Sequence, residues 1–312
     1  MAFEDELGLP DDKIQPGRIR LGAWGIIQEI FNIFTKRIGA FFSIILMFAI
    51  FGFIQGYVLL VILALDEIIV GAIAVTDPLA FILNVSDLLQ IYPDPSVLST
   101  PIAAGAVLMF AGFLIQILIT GAAIRLALET YAGRHSNVSE CFSEAIGRIV
   151  PLTIVYFVIS SVMTLILRPL SIISLLMLDA IDTMDLELAG AYSGQAILLM
   201  VLLLFAFTLF LVAMVDAMQK DHGPFQSLST SFRLTGKNIG YTLKAVIMFA
   251  IVVFVIQLTI ELAFVLFLGN SGLLLSFFIY QIIYLSLLYT FQSVFYKNVQ
   301  AKSASSQSQD LW

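Results

Sequence analysis

The chain has 312 residues, of which 60% are hydrophobic and only 12% are charged, and its formal net charge at pH 7 is −7. Because soluble domains carry roughly 25% charged residues, a water-soluble fold of this size could not remove so much apolar surface from water. The acidic balance argues against a nucleic-acid partner, and the single cysteine, Cys141, excludes an internal disulfide.

Six apolar segments are long enough to cross a bilayer, which takes about 20 residues. They are 39–65, 101–124, 149–178, 194–216, 240–268 and 272–296. The sequence therefore predicts an all-α, six-helix membrane domain over 21–299, between an acidic N-terminal tail (1–20) and a polar C-terminal tail (300–312). For segment 66–100, which joins the first two spans, a short interfacial helix and a re-entrant helix both remain open.

The distribution of lysine and arginine predicts the orientation, because cytoplasmic loops retain basic residues. Fourteen of the 15 basic residues fall on one side of the predicted spans, and only Arg168 approaches the other. The connecting segments 66–100 and 179–193 contain acidic residues and no lysine or arginine. We expect a multi-pass protein of the cell membrane with both termini in the cytoplasm.

A short amphipathic helix is predicted on the cytoplasmic side before each of three transmembrane hairpins. The apolar faces consist of Ile27, Ile30, Phe31, Phe34 and Ile38 in the first, of Val138, Cys141, Phe142, Ala145, Ile146 and Ile149 in the second, and of Phe225, Leu228 and Phe232 in the third. Each helix leads to a basic residue before the span, and these residues, Arg37, Arg148 and Lys237, are predicted to contact lipid headgroups. Two interpretations are open: the helices lie in the headgroup plane, or they pack under the bundle.

The recurring unit resembles a known set of prokaryotic membrane proteins. The resemblance is carried above all by GPFQSLSTSFRLTGKN, residues 223–238, which runs into the fifth span. That set includes the membrane domain sometimes fused to glycerophosphodiester phosphodiesterases and related stand-alone six-helix proteins. The resemblance covers about 21–299 and implies a six-helix membrane domain, with no catalytic residue to carry over.

Ionisable groups inside a span are costly, which makes them functional candidates. Arg168 lies about ten residues and Glu261 about nine residues inside the outer end of a span. One hypothesis is that they form an ion pair that lines a polar cavity; the alternatives are a pair that only fixes helix packing and an arginine that reaches the lipid headgroups. The uncharged polar candidates are Gln257, Gln281, Gln55 and Gln116. These glutamines could line a substrate path, although interhelical hydrogen bonding is the commoner role of such residues.

The sequence predicts no catalytic, metal or cofactor site. The two histidines, His135 and His222, lie far apart in cytoplasmic loops and form no zinc-binding motif. The acidic run 179–187 is interpreted as a solvated loop because it lacks the pattern of a calcium loop. Asn84 begins a glycosylation sequon on the outer side.

Three functional hypotheses follow from these observations. The preferred one is a non-enzymatic membrane protein that organises lipids or partner proteins, with membrane lipids, partner proteins or a second copy of the chain as partners. The alternatives are a transporter or permease for a small solute and an intramembrane lipid-modifying enzyme.

Overall fold

A computed structural model describes residues 21–58, 75–91, 95–219, 222–269 and 272–309. All of the regular secondary structure in these ranges is helical, which confirms the predicted fold class. In chain order the helices are α1 (Ala23–Lys36), α2 (Ile38–Tyr57), α3 (Pro78–Ile91), α4 (Pro95–Tyr131), α5 (Val138–Gly147), α6 (Ile149–Asp182), α7 (Leu186–Phe210), α8 (Ala213–Gln219), α9 (Pro224–Gly236), α10 (Ile239–Leu268) and α11 (Gly272–Gln309).

Six stretches within these helices are long and apolar enough to cross a membrane, which confirms the predicted number of spans. They are Ile38–Gln55, Ser99–Tyr131, Ile149–Asp182, Leu186–Gln219, Ile239–Phe267 and Leu275–Gln300. The end of the first predicted span, 59–65, lies outside the described residues. Large apolar side chains such as Phe53 (70% exposed) and Leu198 (69%) point away from the protein, as a lipid-facing surface requires. The chain is a multi-pass membrane protein.

The bundle has two ends that differ in charge. Helices α1, α5 and α9 lie at one end, where Arg37, Arg148 and Lys237 join them to the following spans, and we call this the basic end. The opposite end, which contains α3 and the acidic connection between α6 and α7, is called the acidic end. Leu21, the first described residue, is held at the basic end, because its amide donates to Asn298 Oδ1 and the Tyr241 hydroxyl donates to its carbonyl.

Each short helix packs against the spans, but not always through the predicted face. In α1 the side chains of Ile26, Ile27, Ile30 and Ile33 are buried, whereas Ile38 begins α2 and is 53% exposed. In α5, Cys141 and Ala145 are buried but Ile146 is 57% exposed.

The predicted face of α9 was largely wrong. Phe225 is 73% exposed and Phe232 is 41% exposed, while the buried face carries hydroxyls. The reason lies at the break between α7 and α8, where the Leu209 carbonyl accepts hydrogen bonds from Ser231 Oγ (2.6 Å) and Thr235 Oγ1 (3.4 Å). These hydroxyls bond to a backbone group at a helix end, so the polar face of α9 points into the protein.

Candidate functional site

Helix α3 begins in the middle of the bundle. The Thr76 hydroxyl donates to Gln116 Oε1 (2.9 Å), and the Thr164 hydroxyl donates to Asp77 Oδ1 (3.2 Å). Gln116 and Thr164 lie near the midpoints of the spans Ser99–Tyr131 and Ile149–Asp182. Asp77 Oδ1 also accepts the Ala80 amide (2.7 Å), which caps the start of α3. The geometry therefore favours the re-entrant alternative for this part of segment 66–100.

A glycine makes this close approach possible. A Cβ atom built on Gly112 of α4 would lie 2.7 Å from Thr76 Cγ2 and 2.8 Å from Phe51 Cε1 of α2. Any side chain at this position would therefore separate α2, α4 and the residues that lead into α3. The absence of a side chain lets Thr76 and Phe51 approach α4 closely at this point.

One cavity, which we call the α2 cavity, lies between α2 and the start of α3. It has a volume of about 440 Å³, and its lining includes the apolar Phe48, Phe51 and Val75 and the polar Gln55, Thr76 and Asp77. Gln55 is only 4% exposed, and its Nε2 has no hydrogen-bond partner among the described residues. The same holds for the buried Oδ2 of Asp77. Gln55 and Asp77 therefore line the α2 cavity, but these two unpaired atoms are themselves covered by protein.

A second cavity of about 440 Å³, the α6 cavity, lies on the other side of α3. Its lining includes Leu83, Leu167 and Leu170 and the polar Asn84, Thr164 and Arg168. Ala80 lines both cavities. Arg168 Nη2 donates to Asp87 Oδ1 (2.7 Å) and Oδ2 (2.6 Å), while the buried Nη1 has no partner within the described part of the chain.

The predicted ion pair between Arg168 and Glu261 is wrong. Arg168 pairs with Asp87 of α3, and Glu261 accepts a hydrogen bond from Gln257 of its own helix (2.8 Å). Because the Asp87 side chain is 54% exposed, the pair that does form is a surface pair, which contributes little to stability.

The predicted intramembrane residues therefore separate into two groups. Gln55, Gln116 and Arg168 gather around α3, where Gln116 is a packing contact and the other two line cavities. Gln257 and Glu261 lie on α10, and Gln281 is half-buried on α11. Asn84, the predicted sequon residue, is half-buried inside α3 and lines the α6 cavity. Glycosylation of Asn84 stays a prediction.

The predicted headgroup contacts all lie at the junction between a short helix and a span. Arg37 donates through Nη2 to the Ser136 carbonyl and approaches His135 Nδ1 through Nη1 (3.2 Å), so its guanidinium also fixes the loop before α5. Arg148 is half-buried and Lys237 is exposed. Contact of these three residues with lipid headgroups stays a prediction.

The sequence did not reveal a buried polar cluster at the basic end. Asp216 of α8 is fully buried, with Oδ1 accepting from the Tyr296 hydroxyl (2.6 Å) and Oδ2 lying 3.0 Å from His222 Nδ1. Gln300 Nε2 in turn donates to the Tyr296 oxygen (2.7 Å). The signal in the sequence was an aspartate at the end of a predicted span, six residues before a histidine.

A second cluster attaches α5 to α4. Glu129 is 6% exposed and binds Arg125 (2.8 Å) and Arg134 (2.6 Å), and Arg125 also contacts Glu144 of α5. Cys141 of the same helix is buried, and this burial raises the pKa of its thiol. Among the described residues, no group of three or more histidine, cysteine or acidic side chains could hold a metal ion.

No family model, curated protein or solved structure matches this chain. The resemblance to the membrane domain fused to glycerophosphodiester phosphodiesterases thus stays a prediction. The ligand class of the two cavities is therefore inferred from the residues that line them.

Proposed function

We propose that this protein is a non-enzymatic protein of the cell membrane that organises lipids by holding a lipid molecule in the cavities beside α3. The observation that carries this proposal is the pair of cavities beside α3, whose largely apolar linings include the polar residues Gln55, Asp77 and Arg168.

The cavity walls support an amphiphilic ligand. Apolar side chains surround the few polar groups, a composition that is typical of ligand pockets, and each volume lies within the usual range of roughly 300–1,000 Å³. The neighbouring surface is apolar, with Ile82 63% exposed and Ile54 50% exposed. An acyl chain could therefore lie against the protein while the headgroup enters a cavity.

The polar groups also support binding rather than chemistry. Asp77 Oδ1 is held by the Ala80 amide and the Thr164 hydroxyl, and the Thr76 hydroxyl is held by Gln116. A general base needs a nucleophile or a proton donor within hydrogen-bond reach. Here the bonds around Asp77 serve helix capping and packing.

We infer the orientation from the positive-inside rule: the basic end faces the cytoplasm, and the cavities belong to the outer half of the membrane. The exposed Trp24, Ile146 and Phe225 lie on the short helices at the basic end, where aromatic and apolar side chains beside basic residues suit the lipid interface. In a Cys141→Ala background, a Lys237→Cys variant should react with an impermeant maleimide only after the cells are permeabilised. Labelling in intact cells would overturn this orientation.

Ala80 offers a direct test of lipid binding, because it lines both cavities. We expect the purified protein to retain a lipid molecule in native mass spectrometry after extensive detergent exchange, and Ala80→Phe to lose it. Val201→Phe is the matched control, since Val201 is 58% exposed on α7 and lines neither cavity. Retention of the lipid by a folded Ala80→Phe variant would refute the proposal.

The start of α3 at mid-depth favours one second candidate, a permease. Half-length helices that begin inside the membrane are a recurring element of transporters, and Asp77 places a carboxylate there. Solute uptake by proteoliposomes, abolished by Asp77→Asn, would favour a permease over a lipid organiser.

A further inference from the structure

Glu261 of α10 carries a carboxylate that no basic residue of the described chain neutralises. Its Oε1 accepts the Gln257 amide (2.8 Å), whereas Oε2 has no hydrogen bond or ion pair within the described ranges. Glu261 is partly exposed, and Oε2 does not belong to the unpaired polar atoms that are buried in protein. Arg168, the basic residue that the sequence places toward the acidic end, is already bound to Asp87. An external cation or a proton is therefore left to neutralise Glu261.

The depth of Glu261 suits a lipid headgroup. Helix α10 has 30 residues and is therefore about 45 Å long, which exceeds the roughly 30 Å of the hydrocarbon core. Its ends thus reach the headgroup regions, and Glu261 lies about two turns, or roughly 10 Å, before the last residue, Leu268. The neighbouring Leu258 and Leu262 are exposed, so the carboxylate borders the surface that faces lipid.

The neighbouring helix α11 adds two tyrosines to this surface. Tyr280 lies within electrostatic reach of the Glu261 carboxylate. Its ring is stacked on that of Tyr284, with 5.8 Å between the ring centroids, and both side chains are partly exposed. Because the faces of aromatic rings attract cations and a carboxylate forms strong hydrogen bonds with charged donors, these groups together favour a positively charged ligand.

Lipid headgroups meet these groups in different ways. A primary ammonium group carries a positive charge and three N–H donors, so it can donate to Glu261 Oε2 while it lies against the Tyr280 ring. A quaternary ammonium group keeps the charge and has no N–H to donate. An anionic headgroup without an ammonium brings a second negative charge to the carboxylate.

We infer that Glu261 and Tyr280 form a second lipid site, on the surface shared by α10 and α11, for a headgroup with a primary ammonium group. Neither residue lines a cavity beside α3. The inference therefore goes beyond the proposed function and can be tested separately from it.

The test compares three lipids with identical acyl chains by native mass spectrometry of the delipidated full-length protein at pH 7. Phosphatidylethanolamine carries a primary ammonium, phosphatidylcholine carries a quaternary ammonium, and phosphatidylglycerol carries no cation. We expect phosphatidylethanolamine to bind about tenfold more tightly than phosphatidylglycerol, the size of effect that one hydrogen bond to a charged group gives. Phosphatidylcholine should lie between them.

Two variants locate the selectivity. Glu261→Gln keeps the size of the side chain and removes its charge, so the three lipids should bind equally while the unfolding temperature stays the same. Tyr280→Leu removes the ring and should reduce the preference about threefold, as expected for an exposed cation–π contact. Glu187→Gln is the matched control, because Glu187 is an exposed carboxylate at the same end of the bundle, in the first turn of α7.

Equal binding of phosphatidylethanolamine and phosphatidylglycerol to the unaltered protein would overturn the inference and indicate that a proton neutralises Glu261. A preference that persists in Glu261→Gln would overturn it by placing the ammonium site elsewhere. Ala80→Phe separates the two proposals, because it should remove the lipid in the cavities and leave the preference intact. Loss of the preference in a folded Ala80→Phe variant would overturn the second site and leave the proposed function standing. Displacement of phosphatidylethanolamine by free ethanolamine at equal concentration would support the ammonium site and identify a soluble amine as its ligand.

Discussion

At the basic end both oxygens of the buried Asp216 are bonded within the protein, whereas around α3 one buried oxygen of Asp77 has no described partner. Glu129 repeats the first pattern, with both oxygens held by arginines. A buried charge that finds all its partners inside the protein serves stability. The contrast separates a structural end of the bundle from the end that we propose to bind lipid, which we call the binding end.

The largest effect is expected from removing the carboxylate at the basic end. Asp216→Ala would leave the fully buried Tyr296 hydroxyl without its acceptor and open a void among α4, α6, α9 and α11. We expect a loss of about 3 kcal/mol, measured as a large fall in the unfolding temperature in detergent. His222→Ala is the control, because His222 is partly exposed and should cost less. If His222→Ala lowered the unfolding temperature as much as Asp216→Ala, the bond to His222, and not the bond to Tyr296, would account for the stabilising effect of Asp216.

At the binding end the equivalent test is Gly112→Ala. The added Cβ would clash with Thr76 and Phe51, and such overpacking lowers the free energy of unfolding by about 2 kcal/mol. The higher helix propensity of alanine offsets up to about 1 kcal/mol of this loss. Unlike Asp216→Ala, this change should also reduce lipid retention, because it displaces the residues that begin α3. Gly190→Ala in α7, with open space around its Cβ, is the control; it should show only the helix-propensity gain of up to about 1 kcal/mol and leave lipid retention unchanged. Unchanged lipid retention in Gly112→Ala would break the comparison.

The reaction rate of Cys141 tests whether the basic end is closely packed. Since burial raises the pKa of Cys141, less thiolate is present near neutral pH, and reaction with a permeable maleimide should be slower in the folded protein than after denaturation. The rate should rise with pH as the thiolate fraction grows. Rapid labelling of the native protein at pH 7 would show that this end opens.

Properties that depend only on the consecutive residues of one segment could be predicted from the sequence. Insertion of a span depends on about 20 consecutive residues, and five of the six predicted spans lie largely within observed helices, while the described part of the first does as well. The start of α9 at Pro224 also depends on one local residue, because proline suits a first helical position.

Properties that depend on which helices are neighbours could not be predicted. Similar depth in the membrane suggested Glu261 as the partner of Arg168, but depth does not determine adjacency, and α3 brings Asp87 to it instead. The burial of the hydroxyl face of α9 could not be predicted for the same reason. It depends on the Leu209 carbonyl, which lies next to α9 only in the folded protein. Gln55 could be named as a candidate, but its cavity depends on α3.

The smallest expected effect concerns the pair that replaced the predicted one. Asp87→Asn removes the exposed carboxylate from the ion pair with Arg168. We expect the free energy of unfolding to change by at most about 0.5 kcal/mol, because exposed ion pairs contribute little. Arg168, which lines the α6 cavity, would then carry a charge that no carboxylate neutralises, and this should strengthen retention of the anionic phosphatidylglycerol over an uncharged glycolipid. Asp182→Asn, at the same end but outside both cavities, is the control. A loss of stability as large as that of Asp216→Ala would mean that the acidic end, too, is held together by its charges, and the distinction between the two ends would no longer hold.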